Sequence, residues 1–222
     1  MITIDGPSGS GKGTVSAVLA RTLGWHLLDS GALYRLTALS ARNQGISADS
    51  VDDLVGVASR LNVRFEPQDT DQKVFLDEKD VSREIRTESV GDAASSVAAL
   101  QPVRDALLDR QRAFASSPGL VADGRDMGTV VFPEARLKIF LTATALVRAE
   151  RRHKQLIDKN FDVTLAALLS EIEQRDARDQ SRQAAPLRAA ADALVIDSSE
   201  MDIAAVAARI VAEKNRCFGV GG

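Results

Sequence analysis

Residues 2–14, ITIDGPSGSGKGT, constrain this chain more than any other stretch. Ile2, Thr3, Ile4 and Asp5 are strand-prone, Gly6, Ser8, Gly9, Ser10 and Gly11 make a loop that ends in Lys12, and an alanine-rich helical pattern occupies residues 15–23. Strand, glycine loop and helix in that order form a phosphate cradle. The glycines let successive N–H groups turn into one concavity, and the helix that starts near Lys12 adds the positive end of its dipole. Lys12 supplies a mobile point charge for β and γ phosphates.

One position departs from the strict motif, which wants Ser or Thr directly after the lysine; here Gly13 stands there and Thr14 follows. The GKGT ending resembles nucleoside monophosphate kinases more than GTPases or motor ATPases. It weakens the case for a loop hydroxyl binding magnesium directly.

The length of 222 residues suffices to bury a full α/β core without a second independent domain. A net charge of −3 argues against bulk binding to nucleic acid or anionic membrane, both of which want a basic surplus. Cys217 is the only cysteine, so an internal disulfide and a four-cysteine zinc site are excluded. No apolar run approaches the ~20 residues that span a bilayer, and the chain enters a strand at once, with no room for an export signal. A reducing, intracellular compartment is expected.

Beyond the first helix, residues 26–29 read as a short buried strand, and SGALYR at 30–35 opens a helix running toward Gly45. A strand ending in Asp29-Ser30 beside a helix N-terminus makes a second mouth suited to anions. Ser30 is equally readable as an N-cap, and Arg35 as a solvated helix-face arginine. His26 reads as a packing residue at a strand edge, since phosphoryl transfer needs no histidine. A helical pattern over residues 49–61 then gives way to alternation at 62–66 and 73–77, with Val81 beyond. This predicts a small antiparallel meander that must pack on a larger body.

Residues 89–97 and 101–115 read as helices, and 120–123 as a buried strand ending in Asp123. The loop Gly124-Arg125-Asp126-Met127-Gly128 follows. An acid at the C-terminal end of a parallel strand beside a phosphate loop is the usual place to hold a magnesium shell; pairing of Asp123, Arg125 and Asp126 among themselves is the alternative. Residues 137–141 form the next strand, and a helix with Arg148, Arg151, Arg152 and Lys154 leads to a loop around 158–160. On the helix over 163–179, Arg175, Arg178, Asp179 and the following Arg182 share one face. Three stacked guanidiniums repel unless something anionic sits among them. Charge alone leaves a salt-laced solvated helix pair open; with a phosphate loop in the same chain, an arginine lid over transferring phosphates fits better. Residues 193–197 read as a fifth buried strand, 203–214 as a closing amphipathic helix and 219–222 as a frayed tail.

Taken with GPSGSGKGT, the segments LLDSGALYR (27–35), EIRTESVGDAAS (84–95), VADGRDMGTVVFP (121–133) and EIEQRDARDQSR (171–182) make the chain similar, nearly end to end, to bacterial cytidylate kinases of the P-loop nucleoside monophosphate kinase superfamily. The resemblance implies an α/β fold. Its core is a five-stranded parallel sheet over roughly 1–61, 100–147 and 183–222, with a small antiparallel nucleotide-monophosphate insert at 62–99 and a short arginine-rich lid at 148–182. It implies transfer of the γ-phosphoryl of ATP to CMP or dCMP, with Mg²⁺, by a monomer in the cytoplasm that uses neither nucleic acid nor membrane. Residue by residue, it places ATP on Gly6, Ser8, Gly9, Ser10, Gly11, Lys12, Gly13 and Thr14, with Arg151 from the lid. CMP phosphate falls to Arg35, Arg125 and Arg182, cytosine to Ser30, Arg104 and Asp126, and the sugar to Ser95, Arg175 and Asp179. Asp123 and Arg178 join Lys12, Arg125 and Arg182 in the chemistry, and Thr14 or Asp123 stands nearest the metal.

Cytosine supports that set on chemical grounds. It shows an N4 amino donor and an N3 acceptor where uracil shows an O4 acceptor and an N3–H, so an aspartate with an arginine welcomes one and repels the other. Rival readings are another small-molecule kinase, acting on shikimate or thymidylate, or a nucleotide-gated switch. The switch would want a guanine-reading Asn-Lys-x-Asp, which the sequence lacks.

Overall fold

The first strand, β1 (Ile2–Asp5), is buried along its whole length, as a strand must be when neighbours flank it and helices cover its faces. In this computed structural model, which describes residues 1–67, 72–157 and 162–219, β1 is the centre of a five-stranded sheet. Its order is β2-β6-β1-β7-β8, formed with β2 (His26–Asp29), β6 (Leu120–Gly124), β7 (Leu137–Thr142) and β8 (Leu194–Asp197). The pairings of β1 with β6 and β7, and of β7 with β8, are parallel.

Helix α1 (Lys12–Leu23) packs on this sheet and α8 (Ile203–Phe218) packs beside it. Ile2, Ile4, Val121, Leu137, Ile139 and Leu141 from the strands meet Val15, Leu19, Val206 and Ile210 from the helices in one apolar cluster. Burying each such side chain is worth ~1.5–3 kcal/mol, so this cluster fixes where the strands end and hence where the loops emerge. Two further helices, α6 (Ala145–Ile157) and α7 (Leu165–Ser181), pack against each other. The expected loop at 158–160, and the tail beyond Gly219, lie outside the described residues.

The chain divides into two compact units, residues 1–27 with 118–222, and residues 28–117. In the second, α2 (Ser30–Asn43) packs against α4 (Glu88–Val97) and α3 (Val51–Ser59), and α3 packs against α5 (Gln101–Arg112). The expected meander is present as a three-stranded antiparallel sheet of β3 (Val63–Pro67), β4 (Gln72–Leu76) and β5 (Lys79–Asp80). Phe65 meets Phe114 edge to face at 6.0 Å between centroids, which ties the meander to the chain just beyond α5.

Two strands differ from the sequence reading. Both β2 and β8 were expected to be buried, but they occupy the edges of the sheet. His26 is exposed on β2, and Val195 on β8 keeps 52% of its surface. An apolar run gives strand type; its place in the sheet is set by pairing that sequence periodicity does not encode.

Candidate active site

At the end of β1 the backbone leaves the sheet through Gly6, where an added Cβ would stand 2.0 Å from the carbonyl oxygen of Leu141. Only glycine fits that approach. Gly11 caps α1 in the left-handed region, at φ 88° and ψ 0°, so the loop turns abruptly into the helix. Lys12 is the first helical residue and is almost wholly buried; its ammonium donates to the Pro7 carbonyl at 3.2 Å and so lies folded across its own loop. This is the strand, glycine loop and helix turn the sequence predicted, with Ser10 buried and Gly9, Gly13 and Thr14 exposed to solvent.

Asp123, near the C-terminal end of β6, is 6% exposed, and a Cβ at Gly13 would lie 3.2 Å from its Oδ2. Glycine after the lysine therefore brings a buried carboxylate beside the first turn of α1, where the usual motif has a hydroxyl. A carboxylate and the Thr14 hydroxyl are hard oxygen donors of the kind magnesium takes, and the metal keeps several waters of its own. The residues present fit a Mg²⁺–ATP complex on this loop.

The loop after β6 is held from below. Both oxygens of Asp5 accept backbone hydrogen bonds, Oδ1 from Met127 N and Oδ2 from Gly128 N, each at 2.8 Å. These amides open a π-helical turn, Met127–Val131. Burial pushes the Asp5 carboxyl up to about 6, against the pull of the Gly128 and Met127 amides; the Asp126 charge adds to the rise and that of Lys12 opposes it.

Helix α7 gathers charge around one anion. Arg125 Nε donates to Asp179 Oδ2 at 2.8 Å, and the pair is largely shielded from water. Burial opposes the charged form of Asp179. The charge and hydrogen bond of Arg125, with the charges of Arg182 and Arg175, nonetheless hold its carboxyl below the ordinary range. Asp179 is thus the anion that the stacked guanidiniums of α7 required. Arg178, on the same helix, is exposed. Arg151 donates to the Ser198 carbonyl at 2.6 Å, and the Ser198 hydroxyl donates to the Ser10 carbonyl at 3.3 Å, so this arginine of α6 reaches the glycine loop through one serine.

In the other unit, the Ser30 hydroxyl is buried and donates to Gln111 Oε1 at 2.7 Å, while Asp29 caps α2 by accepting from Ala32 N at 3.0 Å. The N-cap reading of Ser30 is thereby corrected: Asp29 precedes the first helical turn and takes that role, which leaves Ser30 pointing inward. Arg104 is 5% exposed; it donates to the Ala98 carbonyl and its guanidinium lies 5.8 Å from the centre of the Tyr34 ring. Arg35 donates to the Ile85 carbonyl at 2.7 Å, and Ser95 lies half-buried on α4. The predicted residues therefore sort into two groups. Lys12, Asp123, Arg125, Asp126, Arg151, Arg175, Asp179 and Arg182 lie in one unit, and Ser30, Arg35, Ser95 and Arg104 in the other.

A sequence profile described as cytidylate kinase matches residues 2–216. The chain belongs to the cytidylate kinase family. The cytidylate kinase of Aeromonas salmonicida is 57% identical over 219 residues, covering 99% of this chain and 95% of that protein. That of Pectobacterium atrosepticum is 58% identical over 212 residues, covering 96% and 94% respectively. The Pseudomonas entomophila protein is 57% identical over 216 residues, with the same coverage of both chains. Among the described residues, no helix is long and apolar enough to cross a membrane.

Within this cytidylate kinase framework, three polar residues were not singled out by sequence reasoning. Asp5 reads as the end of an apolar strand, and a charge in so buried a strand is the signal that could have found it. Arg148, 4% exposed, donates to both oxygens of Asp176 on α7, to the Ser8 carbonyl of the cradle at 3.0 Å and to the Ala143 carbonyl at 2.9 Å. It ties α6 and α7 to the glycine loop, and on a helix rich in arginines no spacing rule marks it out. Gln111, 1% exposed, orients Ser30.

Proposed function

We infer that this member of the cytidylate kinase family transfers the γ-phosphoryl group of ATP to CMP, and to dCMP, giving ADP and CDP or dCDP. The observation that carries the reading is the pairing of a glycine-built cradle around Lys12 with a separate cluster of three guanidiniums about Asp179. The first suits main-chain capture of a triphosphate, and the second suits a phosphate monoester.

ATP phosphates lie on the amides of the loop from Gly6 to Thr14, with Lys12 neutralising the β and γ groups and Arg151 assisting from the lid. Asp123 or Thr14 would stand nearest a Mg²⁺ bound with ATP, which would supply charge neutralisation at the transferring group. CMP phosphate is taken by Arg35, Arg125 and Arg182, cytosine by Ser30, Arg104 and Asp126, and the sugar by Ser95, Arg175 and Asp179. The attacking atom is an oxygen of an ionised phosphate, so the chain needs no general base and forms no covalent intermediate. Catalysis consists of positioning plus guanidinium and ammonium stabilisation of charge spread over the equatorial oxygens, with Arg178 and Arg182 contributing from the lid. Lid closure excludes water, which keeps ATP hydrolysis slow without acceptor. On this reading the enzyme works as a monomer in the cytoplasm on small molecules, without nucleic acid or membrane.

The test is a coupled ADP-release assay with ATP, Mg²⁺ and a panel of acceptors: CMP, dCMP, UMP, AMP, dTMP and shikimate. CMP and dCMP are expected to sustain turnover and shikimate none. Failure with CMP while another acceptor works overturns the reading.

A further inference from the structure

We propose that Asp5 is a positioning residue for acceptor recognition: its carboxylate seats the loop that carries Arg125 and Asp126 and thereby aims both side chains. This inference rests on the reading above, in which those two residues take CMP.

Three observations carry it. Asp5 is 4% exposed, and each carboxylate oxygen accepts one of two consecutive amides, Met127 N and Gly128 N, both at 2.8 Å and more than 120 residues away in sequence. A carboxylate is the one side-chain group that can accept on both of its atoms. An asparagine of the same shape would set its NH₂ against one of those N–H groups. Second, the loop is fitted to β1 and to itself. A Cβ at Gly128 would stand 3.0 Å from Thr3 Oγ1 and 3.2 Å from Lys138 Cδ, and one at Gly124 would stand 2.8 Å from Met127 Cγ. Met127 is completely buried, so the loop cannot lift without exposing it. Third, the Asp126 carbonyl accepts from Val130 N at 2.9 Å and Val131 N at 3.2 Å, so the turn that Asp5 anchors begins at the base-reading residue itself. Arg125 is its immediate neighbour and points to Asp179.

A side chain that acts by holding a loop leaves a particular kinetic signature. Displacing Arg125 and Asp126 by even an ångström weakens acceptor binding, while the amides of the cradle still hold ATP. The charge of Lys12 also acts on Asp5, so the KM for ATP serves as the internal control.

The experiment is steady-state kinetics on the full chain with CMP and ATP varied in turn, for the wild type, Asp5→Asn, Gly128→Ala and Arg125→Ala. Gly128→Ala pushes the same loop away from β1 without touching the Asp5 charge, so it carries the test if Asp5→Asn does not fold. Asp5→Asn and Gly128→Ala are each expected to raise the KM for CMP at least about tenfold, with the KM for ATP within about threefold of wild type. An unchanged KM for CMP, or equal rises for both substrates, overturns the proposal. Arg125→Ala reports separately on the underlying reading: no change in its KM for CMP contradicts the role of Arg125. A raised value there, with the two loop variants unaffected, overturns only the seating role of Asp5.

Discussion

Arg125 and Asp179, 54 residues apart in sequence, meet in a 2.8 Å hydrogen-bonded ion pair that joins the loop after β6 to helix α7. Arg125 is thus matched to an internal carboxylate, and Asp179 balances the positive charge that Arg175 and Arg182 bring to the same place. Removing one partner of a shielded pair strands the other, typically at about 3–5 kcal/mol. Asp179→Ala is therefore expected to lower stability toward that range. Urea unfolding measures it, and a change below about 1 kcal/mol would show the pair to be loosely solvated.

The two perturbed aspartates predict opposite responses to pH. Asp5 has its carboxyl raised from 3.8 to about 6, so the folded chain binds that proton more tightly than the unfolded chain. The resulting stability is fully present below pH 3.8 and is lost as pH rises through about 6. Asp179 is lowered from 3.8, so its contribution is present above that value and is lost as pH falls through its folded value. Asp5→Asn removes the first effect alone. The stability of the wild type relative to this variant should fall by about 2 kcal/mol between pH 4 and 6.5 and then level off. Unfolding curves at several pH values check this; a constant difference would contradict it.

Lys12 interacts with its own loop through the Pro7 carbonyl, and its removal leaves the apolar cluster beneath α1 untouched. Lys12→Ala is expected to unfold at nearly the wild-type urea concentration while turnover drops at least about a hundredfold, the scale set by losing one transition-state contact worth ~2.7–4 kcal/mol. Near-normal turnover would remove Lys12 from the chemistry.

Gly6 makes a structural prediction. An added methyl would fall 2.0 Å from the Leu141 carbonyl oxygen, a backbone atom of a central strand that cannot swing aside. Gly6→Ala should destabilise the fold by ~1–3 kcal/mol or more through strain and should weaken ATP binding as well. Thermal unfolding with and without ATP measures both effects; wild-type behaviour in both would show that the β1–β7 seam has slack.

Much of this was legible in the sequence because local chemistry dictated it. The glycine loop could serve only a tight turn, alternation over residues 62–66 and 73–77 could make only strands, and the spacing of Arg175, Asp179 and Arg182 placed them on one face. The rest depended on partners that no local pattern names. Ser30 was as readable a cap as a ligand of an anion-binding mouth until Asp29 took the cap role and Gln111 claimed the hydroxyl. Strands β2 and β8 looked buried until pairing put them at the edges. Arg178 looked equivalent to Arg175 and Arg182, yet it is exposed, while the charges of Arg175 and Arg182 help hold the Asp179 carboxyl down. Asp5 was hidden because its partners are backbone amides more than 120 residues away.

On the proposed reading, base selectivity rests with Asp126, which is 2% exposed, and with the buried Arg104. Asp126→Asn replaces one acceptor oxygen with a donor, so the ratio of kcat/KM for CMP over UMP should narrow at least about tenfold. An unchanged ratio would assign the reading of cytosine to other residues.

Separate binding of the two nucleotides is the central claim, and equilibrium titration of variants tests it most directly. Lys12→Ala should bind CMP with wild-type affinity and lose affinity for a non-hydrolysable ATP analogue, whereas Arg125→Ala should do the reverse. Loss of both ligands in either variant, or loss of CMP alone on removing Lys12, would contradict the division between an amide cradle and a guanidinium cluster.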